Sequence, residues 1–125
     1  MKVPDSLRKW FFVHFLLDYA VALPLFIFPR LILEFIGAST IDPLATRLVA
    51  AALFAIGGIS LVSRNASLEV YKNLLVLKII WSAFAILGIL ITIFTTGSNL
   101  LSWLTLVIFA IFSSIWIYYY KTVSR

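Results

Sequence analysis

The sequence predicts an all-α integral membrane protein, a four-transmembrane-helix bundle, and three observations predict it. Of 125 residues, 63% are hydrophobic and 12% charged, with a mean hydropathy of +1.11; soluble domains carry about 45–50% apolar and about 25% charged residues. The apolar residues gather into four runs, each long enough for the roughly 20-residue crossing of a bilayer's hydrocarbon. The lysines and arginines then divide unequally between the two sides that four crossings define.

Four crossings occupy about 80 residues. The remainder is too short and scattered to build the core of a soluble kinase, hydrolase or DNA-binding domain, so a single membrane domain over 1–125 is expected. The absence of cysteine excludes disulfides, thiolate nucleophiles and Cys-bound metal. The net charge of +5 is distributed as a topology signal, so the expected partner is membrane lipid and no nucleic acid is expected.

The first span, about 10–29, is apolar from Trp10 to Phe28 except for His14 and Asp18, and it closes at Pro29. Its basic front and small residues Ala20 and Ala22 imitate a cleaved signal peptide, but Asp18 interrupts the apolar core, so a retained helix is expected. The second span, about 43–63, has Asp42 placed to cap it and Pro43 at the first helical position, where a missing N–H costs nothing. Arg64 and Asn65 suit its end. Ser67 is placed to cap a third helix with polar first turns and a span over about 74–96. Thr96-Gly97-Ser98-Asn99 reads as a tight turn before the fourth span, about 100–120.

Four crossings put both termini and the 64–78 connection on one side, with Lys2, Arg8, Lys9, Arg64, Lys72, Lys78, Lys121 and Arg125; the other side holds Arg30 and Arg47. The excess places both termini in the cytoplasm of a plasma membrane, with the chain as a multi-pass protein. Trp10, Trp116 and Tyr118 to Tyr120 fall at the inner interface and Trp103 at the outer one. Between the first two spans, Leu31, Ile32, Phe35 and Ile36 recur at helical spacing. This fits either a short interfacial helix at 30–40 or an extension of the first helix past Pro29.

Asp18 is the costliest placement, at about 2.5–3.5 kcal/mol for an aspartate at a helix centre. His14 lies four residues earlier on the same face. The pair can serve as a proton or ligand site, or as a hydrogen-bonded staple between helices. Ser60, Ser82, Ser113 and Ser114 fall at similar depth and could join the pair in one polar pocket, or each could bond its own helix. At the outer face Arg30, Glu34, Asp42 and Arg47 form a polar cluster, read as a paired network or as a headgroup or anion site. Arg47 and Lys78 are placed to snorkel to the two interfaces. Ala51, Ala55 and Gly58, with Gly57 beside them, and Ala85 and Gly88 offer small faces for helix packing within the chain, in a homo-oligomer or in a larger membrane complex.

A single His, few carboxylates and the lack of metal, phosphate-loop or nucleophile motifs predict no metal site and no cofactor. Asn65-Ala66-Ser67 matches a glycosylation pattern but falls on the expected cytoplasmic side.

The stretch DYAVALPLFIFPRLILEFIG followed by DPLATRLVAAALFAIGGISLV resembles the DoxX-like four-helix inner-membrane proteins of prokaryotes. The likeness covers about residues 14–62: a first helix ending at proline, an aromatic-Gly turn, and an Arg near the start of a small-residue-rich second helix. It implies a four-helix bundle of poorly defined function and transfers no catalytic residue. The expected function is the binding of a hydrophobic or amphipathic ligand, lipid or quinone, or service as an accessory membrane subunit. An oligomeric proton-coupled small-molecule transporter or channel using Asp18, and an intramembrane enzyme using His14 and Asp18 as acid and base, are the alternatives.

Overall fold

The computed structural model describes residues 2–38 and 40–125. Among them it consists of helices α1 (Asp5–Ile27), α2 (Pro29–Phe35), α3 (Pro43–Val62), α4 (Leu68–Thr95) and α5 (Leu100–Val123). α1, α3, α4 and α5 are long and apolar enough to cross a membrane. The chain divides into two units, one of Val3–Ala66 and one containing Ser67–Arg125.

In the first unit, Asp5 stands in the first turn of α1, where a carboxylate complements the helix dipole. Pro24 is carried inside the helix, and the end comes at Phe28, whose φ of −126° and ψ of 60° leave the helical region. The cause is Pro29: its ring disfavours the α conformation in the residue before it. Pro29 then opens α2. The short separate helix, rather than an extension of α1, is therefore what forms in the 30–40 stretch; Ser39 of that stretch lies outside the described residues. α2 closes with Ala38 N–H donating to the Leu33 carbonyl and Gly37 N–H to that of Glu34, with Gly37 at φ 77°. That pairing needs a left-handed residue, which glycine adopts without strain.

Asp42 caps α3 as expected, its Oδ1 accepting from Leu44 and Ala45 N–H at 3.0 and 3.1 Å. α1 and α3 lie antiparallel, as bonds from three side chains show: Arg8 to the carbonyls of Arg64 and Ala66 just past α3, Tyr19 to that of Phe54, and Arg47 to that of Phe26. The buried residues of α1 (Leu7, Phe11, His14, Asp18, Ala22) recur every three or four positions, and α3 contributes Ala50, Leu53, Ile56, Gly57 and Ser60.

In the second unit α4 runs unbroken for 28 residues, about 42 Å at 1.5 Å per residue and longer than the roughly 30 Å of hydrocarbon. Its polar first turns are thus part of one helix with the 74–96 span. Ser67 occupies the cap position, but its side chain makes no capping bond. α5 is firmly started instead: the Asn99 side chain accepts from Ser102 N–H and the Ser102 hydroxyl accepts from Asn99 N–H, both at 2.9 Å. This reciprocal capping box satisfies two donors that would otherwise be stranded. Trp81 meets Phe109 edge-on at 6.0 Å along the α4–α5 contact.

Candidate functional site

Helical periodicity brings His14 and Asp18 together on the buried stripe of α1, with His14 Nε2 3.3 Å from Asp18 Oδ1. Both side chains are buried, at 8% and 7% exposure. α3 presents Gly57 to Asp18. A Cβ at Gly57 would lie 2.8 Å from Asp18 Cβ, 3.1 Å from Oδ2 and 3.3 Å from Tyr19 Cδ1. The glycine is thus the condition for Asp18 to fit, since only a backbone without a side chain can approach so closely.

Tyr19 is a participant that hydropathy does not reveal. Its hydroxyl donates to the Phe54 carbonyl at 3.1 Å, and its ring lies 4.7 Å from that of Phe15 and 5.0 Å from that of Phe54. The hydroxyl also occupies the space beside Gly58, where a Cβ would stand 2.8 Å from it. The signal available in the sequence was the Gly57-Gly58 pair, which two adjacent large residues on α1, Asp18 and Tyr19, can enter side by side.

The serines divide between buried and exposed faces. Ser60, Ser82 and Ser113 lie on the buried stripes of α3, α4 and α5, whereas Ser114 is exposed. Ser60 donates to the Ile56 carbonyl at 3.0 Å, Ser82 to that of Ile79 at 3.1 Å and Ser114 to that of Ala110 at 2.8 Å. These are the local bonds by which a hydroxyl is satisfied inside its own helix.

Lys78 departs from expectation. It does not snorkel: it is 1% exposed, on the same stripe of α4 as Ser82, and its ammonium lies 5.0 Å from the centre of the Trp116 ring on α5. The ring face attracts the cation electrostatically, which supports the ammonium where bulk water does not reach.

At the α1–α2 break, Asp42 and Arg47, expected in a paired network with Arg30 and Glu34, bond backbone instead. Asp42 caps α3, and Arg47 Nε donates to the Phe26 carbonyl at 3.0 Å. Both serve helix ends, whose stranded N–H and C=O groups compete for nearby polar side chains. Arg30, Glu34 and Arg47 nevertheless share one open concavity of about 510 Å³, walled by Ile27, Phe28, Pro29, Leu31 and Pro43.

Of the small residues, Gly57 and Gly58 serve the α1–α3 approach, while Ala51 and Ala55 face outward. Gly88 is exposed, and a Cβ there would meet nothing within 4 Å. The described residues contain no group of three or more His, Cys, Asp or Glu able to hold a metal ion. No family model, curated protein or solved structure matches the chain.

Proposed function

We propose that this multi-pass protein sits in the plasma membrane with both termini in the cytoplasm and binds an amphipathic lipid on its α1–α3 hairpin. The carrying observation is the concavity at the α1–α2 break, where Arg30, Glu34 and Arg47 border an apolar wall that includes Phe28 and Leu31. Charged groups beside greasy ones match a ligand with an ionic head and a hydrocarbon tail. Leu44 and Leu48 on α3 beside Arg47 are 69% and 62% exposed and add apolar surface near the concavity. Glu34 beside two arginines favours a head that carries both charges, a phosphate with an ammonium, over a quinone.

In this reading His14 and Asp18 lock the hairpin. The support is the fit of Asp18 against Gly57, which leaves no room for a Cβ on the glycine. Arg47 joins α1 to α3 next to the concavity and so keeps its two sides in register. The four-helix architecture implied by the DoxX-like resemblance suits this reading, which takes no residue role from it.

Native mass spectrometry of the purified full chain tests the proposal. Adducts of a zwitterionic phospholipid that survive detergent removal, and decline in Arg30→Gln, are expected. A chain that emerges bare from every lipid condition would overturn it.

A further inference from the structure

A second amphipathic groove lies at the opposite end of the α1–α3 hairpin, made of different residues. Arg8, Lys9, Arg64 and Asn65 line it together with Phe12 and Val13, around a volume of about 570 Å³. No carboxylate lines it. Its cations are held in place by backbone: Arg8 donates to the carbonyls of Arg64 and Ala66, and Arg64 to that of Leu61 at 3.2 Å. Carbonyls at the end of α3 and in the connection after it recruit guanidiniums in this way because each keeps acceptor capacity that a regular helix would not use up. The consequence is two guanidiniums fixed at the groove, with the exposed Lys9 as a third positive charge at its edge.

The apolar part is ordered relative to the charge. Phe12 and Val13 follow Lys9 by three and four residues, a rise of about 4.5–6 Å along α1 toward the middle of the helix. They are 49% and 44% exposed. Charge therefore comes first and hydrocarbon next, in the order in which a phospholipid presents phosphate, glycerol and acyl chain. A free phosphate would satisfy the cations and leave Phe12 and Val13 unused. The lysine and arginine excess puts this end at the leaflet where anionic lipid attracts basic residues beside a membrane span.

We infer that this groove binds an anionic phospholipid, with its phosphate at Arg8, Lys9 and Arg64 and its first methylenes on Phe12 and Val13. The inference is independent of the concavity at the α1–α2 break, which shares none of these residues.

The test uses the full chain in nanodiscs of mixed phosphatidylglycerol and phosphatidylcholine, with lipid retention read by native mass spectrometry. A bound phosphatidylglycerol should be retained beside any phosphatidylcholine held at the α1–α2 break, and Lys9→Gln should weaken phosphatidylglycerol retention about fivefold. Lys9→Gln combined with Arg64→Gln should abolish it, while Arg30→Gln leaves it intact. Excess inorganic phosphate should not displace the lipid. Should the double variant fold poorly, Lys9→Glu alone decides, because charge reversal at an exposed site should remove phosphatidylglycerol retention with helix content unchanged. No retained phosphatidylglycerol, phosphatidylglycerol retention that survives Lys9→Glu, displacement by inorganic phosphate, or loss of phosphatidylglycerol in Arg30→Gln would each overturn the inference. Loss of zwitterionic lipid in Arg30→Gln bears only on the other concavity.

Discussion

Gly57 faces Asp18 so closely that a Cβ on the glycine would stand 2.8 Å from the aspartate Cβ. The atom approached belongs to the root of a side chain, so relief requires the helices themselves to move. This contact ties the most expensive residue of α1 to the least bulky position of α3. It accounts for how a carboxylate is accommodated inside a membrane-spanning hairpin, beside the imidazole of His14.

Gly57→Ala should therefore destabilise the protein by about 1–3 kcal/mol, the range for overpacking a filled site. Gly88→Ala is the matched comparison: with open space around it, the change should be neutral or stabilising by up to about 1 kcal/mol through helix propensity. Thermal unfolding in detergent, followed by helix content, reads both.

Tyr19→Phe should cost about 0.5–1.5 kcal/mol by removing the hydroxyl bond to Phe54. The same change should rescue Gly58→Ala, because the tyrosine hydroxyl is the atom 2.8 Å from a Cβ there and the next atom, Cζ, is 3.8 Å away. A double-mutant cycle measures this coupling, and additive losses would contradict the contact.

Asp18→Asn keeps the shape that fits Gly57 and retains an acceptor for His14. It should lower stability by about 1 kcal/mol, the scale of a polar contact between membrane helices, and leave lipid retention intact. Reconstituted vesicles supply the contrary readout: proton-driven flux in the parent chain that disappears in Asp18→Asn would assign the pair to proton transfer.

Asn99→Ala should cost about 1 kcal/mol, since the capping box holds the first turn of α5. Ser67→Ala should cost much less, because the serine at the start of α4 makes no capping bond. Comparing the two by thermal unfolding separates a cap in sequence from a cap in structure.

The helices were legible in the sequence because their signals are local. Apolar length marks α1, α3, α4 and α5; Asp42 and Pro43 announce the start of α3, and Pro29 forces the break at Phe28. Spacing alone also placed His14 beside Asp18. Helix rotation was not legible. Lys78 lies close enough to a span end to snorkel, and only the facing Trp116 shows that it turns inward. Asp42 and Arg47 looked like ion-pair partners because their charges are opposite, whereas the demand of nearby helix ends decided their bonds. Ala51 and Ala55 match a packing motif as well as Gly57 does, and the difference between them is the direction each faces.

Photolabelling with a zwitterionic phospholipid that carries a headgroup-proximal photoreactive group reads lipid binding at the α1–α2 break. Adducts should concentrate on peptides covering residues 26–35 and 43–48 and fall in Arg30→Gln. Labelling spread evenly over the exposed faces of α1, α3, α4 and α5, unchanged by Arg30→Gln, would contradict binding there.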